Sequence, residues 1–304
     1  MKPNQSAYGT WLSRALWLMA ALALGVAGAS ASPLPGLGAQ QKTDKTTQKQ
    51  AQAPTPEQQE AAAEATDYNA VVSELDPDRQ LQLVEDFAKK HPNSTQLTNV
   101  YAIAANTERQ KGNVQAAIDY AEKSVKLKSD NFVALMFLAT MLPQPQALKN
   151  GADKDKLLGE AEADANQVLQ VFATAPNAQF PKQPNDTDDT FAKRKAMLTS
   201  DVHFALGMVH LQRALEGLQG ADKDELSKAE QEYQAAVTGT DQPDPQAYYR
   251  LGEALKMDGK IDDAIAAFTK CSELSQGTPM QPYADKEVQG LKAKKAAAQA
   301  PAKQ

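Results

Sequence analysis

Between residues 58 and 295, apolar side chains recur at spacings of three and four while alternating β-branched runs are absent, which predicts helices and no sheet. Turn residues cut this stretch into pairs. The first pair spans 58–75 and 78–91, its second helix (DRQLQLVEDFAKKH) being stopped by Pro92. A stretch at 98–131 puts Tyr101, Ala104 and Ala105 on one helix and Ala117, Ala121 and Ser124 on the next, with Gly112 between them. From Phe132, the residues Leu135, Leu138, Ala139 and Leu142 form a further first helix. Its partner is delayed to about 155–174 by a Pro- and Gly-bearing loop (PQPQALKNGAD). Leu206, Gly207 and His210 then precede Ala229, Tyr233 and Ala236, with an extended loop at 217–224 between the two helices. At 245–278, Tyr248, Leu251, Gly252 and Leu255 face Ala264, Phe268 and Cys271 across a turn at Gly259. A last amphipathic stretch at 282–295, with Tyr283, Val288 and Leu291 on one stripe, suits a helix that caps the final apolar face. The polar, Pro-rich insertion at 177–189 is expected as a loop, with Asp188 or Asp189 as the N-cap of a long helix.

The 34-residue units at 98–131 and 245–278 resemble the tetratricopeptide repeat, in which a bulky residue, Leu and Gly on helix A meet Ala, an aromatic and Ala on helix B. The unit at 98 departs from that pattern by lacking the helix-B aromatic. The resemblance implies an all-α solenoid of about four to five helix pairs, a divergent N-terminal pair at 58–97 and a repeat array at 98–278, with insertions near 143–154, 177–189 and 217–224 and a capping helix at 279–295. It also implies that helix-A positions line a concave groove. Carrying the repeat register onto this chain nominates Asn99, Asn106, Arg109, Met136, Phe204, Met208, Tyr249, Glu253 and Lys256 as its wall. Such a mixture of amides, charges, Met and aromatics could hold an extended peptide or a helix. Relatives that clamp a C-terminal carboxylate need a Lys where this chain has Ala102, so Asn106 alone implies no such clamp.

The chain ends read differently. Lys2 and Arg14 precede the apolar run ALWLMAALALGVAGA, and Ala29, Ser30 and Ala31 follow as a small-residue site, which is the layout of a secretory signal over residues 1–31. At this length the run is shorter than the roughly 20 residues of a spanning helix. An exported chain is expected, periplasmic or secreted, with retention as an inner-membrane anchor through 15–31 as the alternative. Residues 32–57 are Pro, Gln, Thr and Lys with almost no large apolar side chains, and are expected to be a disordered linker. Residues 296–304 are expected to be a disordered tail.

Composition narrows the chemistry. The formal net charge of -6 gives no basic face for nucleic acid, so no nucleic-acid partner is expected. One Cys cannot form an internal disulfide, and three scattered His without paired Cys exclude zinc fingers and ribbons. Cys271 replaces the Ala usual in the repeat and is expected as a small buried residue. His203 and His210 stand about 10 Å apart on one predicted helix, too far to share a metal by themselves. Asp186, Asp188 and Asp189 lack the loop that binds calcium. No phosphate- or dinucleotide-binding glycine motif and no nucleophile–base signature is present, so neither cofactor nor catalysis is expected. The expectation is an exported scaffold that binds other proteins in the cell envelope. The alternatives are a self-associating module using Phe204, Met208 and Tyr249, and an envelope enzyme with its site in the insertions.

Overall fold

The computed structural model describes residues 55–149, 153–174, 180, 182, 185–215 and 221–299. Twelve helices and no strand lie among them. They are α1 (Pro56–Ser73), α2 (Pro77–Lys90), α3 (Leu97–Gln110), α4 (Val114–Leu127), α5 (Phe132–Met141), the short α6 (Pro145–Leu148), α7 (Lys154–Thr174), α8 (Asp188–Ala214), α9 (Lys223–Thr238), α10 (Pro245–Met257), α11 (Ile261–Leu274) and α12 (Gln281–Gln299). The proposed signal segment falls outside the described residues, as does the linker up to residue 54.

Local chemistry explains where these helices begin. Thr55 and Gln58 form a reciprocal capping box with Pro56 at the first helical position, so α1 starts two residues before the expected boundary. Asp76, Asn131, Asp222 and Asp244 each accept backbone N–H bonds at the start of α2, α5, α9 and α10. The cap of α8 is a correction. Thr187, not Asp188 or Asp189, accepts from the Thr190 N–H, and the two Asp side chains lie in the first turn, where the helix dipole favours them. Two further boundaries move. The expected loop after Leu142 contains α6, begun by Pro145, and α12 runs on to Gln299 because KAKKAAAQ is rich in strong helix formers.

The turns at Gly112 and Gly259 are alike. Both glycines adopt a left-handed φ, 82° and 83°. In the first, Gly112 N–H reaches the Arg109 carbonyl at 3.0 Å and Asn113 N–H reaches the Glu108 carbonyl at 2.9 Å. In the second, Gly259 bonds to Lys256 at 3.3 Å and Lys260 to Leu255 at 2.9 Å. This is the paired C-terminal cap that a residue with a Cβ adopts only at a cost.

Within each of the last two repeat pairs an aromatic side chain on the second helix seats against glycine on the first. A Cβ at Gly252 would lie 2.9 Å from the Phe268 ring, and one at Gly207 would lie 2.6 Å from the Tyr233 ring. Phe268 and Tyr233 are fully buried. The helices therefore approach closely at these two points, with the ring filling the space that a side chain on the first helix would otherwise take.

Pairs then stack. The main contacts run α1 to α2, α2 to α3, α3 to α4, α4 to α5, α5 to α7, α7 to α8, α8 to α9, α9 to α10, α10 to α11 and α11 to α12. The apolar core follows the same order. A first cluster holds Val71, Val84, Phe87, Leu97, Val100 and Ala104, and a last one holds Ala264, Phe268 and Leu291. A central cluster runs between them, with Tyr120 packed against both it and the first cluster, and Leu255 against both it and the last. No pair owns its core, which is the all-α solenoid arrangement.

Candidate partner-binding face

Asn99, Ala102, Asn106 and Arg109 follow one another at steps of three and four along α3, so they form one stripe. The opposite side of α3, through Leu97, Val100, Ala104 and Thr107, is buried. Asn99 donates its amide to Gln96 Oε1 at 2.9 Å. Arg109 donates from Nη2 to Asn106 Oδ1 at 3.0 Å, while its Nε is buried without an acceptor. Burial holds the Arg109 guanidinium below its usual range, with no neighbouring carboxylate among the described residues to restore it.

The corresponding stripe of α5 is closed, which corrects one expectation. Met136 is 1% exposed and belongs to the core, because α5 packs on α4, α7 and α8 together. Thr140 likewise turns its hydroxyl inward to the Met136 and Phe137 carbonyls, at 2.8 and 3.0 Å. Phe204 is a second correction. It is 2% exposed, its ring 5.7 Å from that of Tyr233, and it fills the α8/α9 seam rather than a groove wall. Met208 is half-buried and packs against the central cluster.

On α10, Tyr249 meets Phe268 edge-on at 5.2 Å, and burial pushes its phenol up to about 12, with Glu253 and Glu287 adding to the effect. Glu253 accepts from Arg250 Nη1 at 2.7 Å. Lys256 bridges to Glu287 on α12 at 2.7 Å. The structure thus brings Asn106 and Arg109 together on α3, and Tyr249 with Glu253 and Lys256 on α10. It does not join the two sets into one constellation.

The residues weighed for chemistry are each occupied locally. His203 Nδ1 lies 2.7 Å from Glu232, and His210 Nδ1 lies 2.8 Å from Glu225, so the two imidazoles serve separate α8–α9 pairs. Asp186 pairs with Arg194, whose guanidinium also stacks 4.3 Å from the Phe180 ring. Burial pushes the Cys271 thiol up to about 12, so it stays protonated and inert near neutral pH. Among the described residues no group of His, Cys, Asp and Glu is arranged to hold a metal ion, and no helix is long and apolar enough to cross a membrane.

Sequence reasoning missed Asp164 on α7. Desolvation, together with Glu160 and Glu122, pushes its carboxyl up to about 7. The signal was present: Glu160 and Asp164 are like charges four apart on one helix. Arg194 was missed as well, because its burial depends on Phe180, from an insertion that reads as polar.

Comparison with known proteins agrees with this register. The tetratricopeptide repeat model matches residues 98–131 and 245–278, the two units whose glycine turns coincide. The chain thus carries two tetratricopeptide repeats, at 98–131 and 245–278, within its all-α solenoid. Among solved structures, the MamA RS-1 ArsTM double mutant is 16% identical, over 71% of this chain and 94% of that one, with a TM-score of 0.46. A thermophilic TPR protein in Thermus thermophilus, TTC0263, is 18% identical over 77% of this chain and 99% of that one, with a TM-score of 0.45. No curated protein matches.

Proposed function

We propose that this chain is an exported, non-enzymatic scaffold of the cell envelope that binds other polypeptides along the helix-A side of its repeat array. Repeats of this family imply protein–protein interaction. The observation that carries the reading is the α3 stripe, where Asn99, Asn106 and Arg109 stay partly exposed while the opposite side of the helix, through Leu97, Val100, Ala104 and Thr107, is buried. Amides and a guanidinium at helical spacing suit the backbone and side chains of an extended or helical segment. Export rests on the apolar segment and small-residue site before residue 32.

Self-association through Phe204, Met208 and Tyr249 is less well supported, since Phe204 is core and Tyr249 is seated on Phe268. For an enzymatic site in the insertions, the carboxylates weighed for chemistry are engaged locally, Asp186 by Arg194, Asp188 by Lys182 and Asp189 by Lys193.

Chemical crosslinking in intact cells of the source organism, followed by mapping of the joined peptides, tests the proposal. The expected result is recurrent heterologous peptides joined near the α3 or α10 stripes. Crosslinks confined to copies of this chain, or to the outer helices α4 and α11, would overturn it.

A further inference from the structure

We infer that Arg109 is the specificity-determining contact of the polypeptide-binding face, and that it receives an acidic side chain of the bound segment. The inference rests on the polypeptide-binding reading above and adds the chemistry of the partner.

Four of the five arginines among the described residues are paired with carboxylates: Arg79 with Glu74, Arg194 with Asp186, Arg213 with Glu162 and Arg250 with Glu253. Arg109 is the fifth, and it has no carboxylate within reach among the described residues. Its one hydrogen bond is the 3.0 Å contact to Asn106, a neutral acceptor. Among the described residues Nε is buried and bonded to nothing, and Nη1 has no acceptor either. A half-buried guanidinium left without a counter-charge is costly, and a charge-assisted bond to an incoming carboxylate recovers much of that cost.

The repeat register explains why the counter-charge is missing. Arg109 and Lys256 occupy the twelfth position of the two matched units. Lys256 bonds at 2.7 Å to Glu287, which stands at the ninth position of the following 34-residue unit. Counting on from Arg109 in the same way reaches Thr140, whose hydroxyl is turned into its own helix. The chain thus supplies an internal anion at one end of the array and omits it at the other. Asn106 holds the guanidinium in place from one side, which leaves the Nη1 edge for a planar carboxylate.

A displayed library of random dodecapeptides, selected on the full chain and on Arg109→Gln and Arg109→Lys variants, tests this. Selected peptides should carry Asp or Glu at one recurring position. Replacing that residue by Asn or Gln should weaken binding to the native chain by roughly 10- to 100-fold, the size expected of a charge-assisted bond. In Arg109→Gln the acidic preference should vanish, and in Arg109→Lys it should persist in part, with helical circular dichroism unchanged in both. Peptides selected without any acidic preference, or with the same preference in Arg109→Gln, would overturn the assignment and leave the polypeptide-binding reading standing. No selected peptide at all would overturn both.

Discussion

The two units that match the repeat model share turn geometry and register, yet their helix-A stripes end up in opposite states. On α10 every polar side chain of the stripe is used within the chain: Glu253 by Arg250, Lys256 by Glu287, and Tyr249 by the Phe268 ring. On α3 the stripe keeps a half-buried cation whose only partner among the described residues is a neutral amide. The difference comes from the next helix in the stack. The helix α12 brings a carboxylate to α10, whereas the position of α5 that corresponds to Glu287 holds Thr140, whose hydroxyl is bonded within its own helix. A helix-A position is therefore not a binding position by register alone. What the following helix presents decides whether the stripe is spent on stacking or left for a partner.

The largest effect expected is from breaking the seat that organises the C-terminal unit. Phe268→Ala empties the notch at Gly252 and should cost about 3–5 kcal/mol of stability, read by urea unfolding. Tyr249 would lose its ring partner, so exposure of the α10 stripe should rise by hydrogen exchange while α3 stays protected.

A smaller effect lies between the two regions, on α7. Because the Asp164 carboxyl is pushed up to about 7, the native chain keeps a proton between about pH 4 and pH 7 that the unfolded chain has released. Stability should fall as pH rises through that window. Asp164→Asn should accordingly raise stability at pH 8, by roughly 1–3 kcal/mol, and the gain should fade as pH falls to 4. A constant difference across pH would mean that the carboxyl is not desolvated.

The smallest stability change is expected from Glu287→Gln, since the Lys256–Glu287 pair is about a third exposed and such pairs contribute roughly 0–1 kcal/mol. Its value is in sharpening the contrast. It removes the internal anion and makes Lys256 resemble Arg109, so the α10 stripe should gain affinity for acidic peptides that it lacks in the native chain.

Much of the fold was legible in the pattern of apolar residues. Gly112 and Gly259 sit in equivalent turns, and Phe268 and Tyr233 are the helix-B aromatics, all readable from spacing. The delayed partner of α5 was also readable, since Leu158, Ala161, Ala165 and Val168 keep helical period beyond the loop. Boundaries failed where a capping side chain outranked the expected one, as Thr187 did over Asp188. The site was less legible. Met136 and Phe204 occupy groove positions in the register but are covered by helices whose lengths depart from the repeat, and α8 runs for 27 residues. Such coverage depends on contacts distant in sequence, which a 34-residue template does not encode. Arg109 was nominated by register, but its missing counter-ion emerged only from comparison with Lys256 in space.

The most direct measurement is photo-crosslinking in cells from a benzophenone side chain placed at residue 106 in one variant and at residue 253 in another. The account predicts abundant adducts with other polypeptides from position 106 and few from position 253. Equal yields, or adducts mainly from 253, would contradict the claim that the stripe on α3 is left for a partner while that on α10 is spent within the chain.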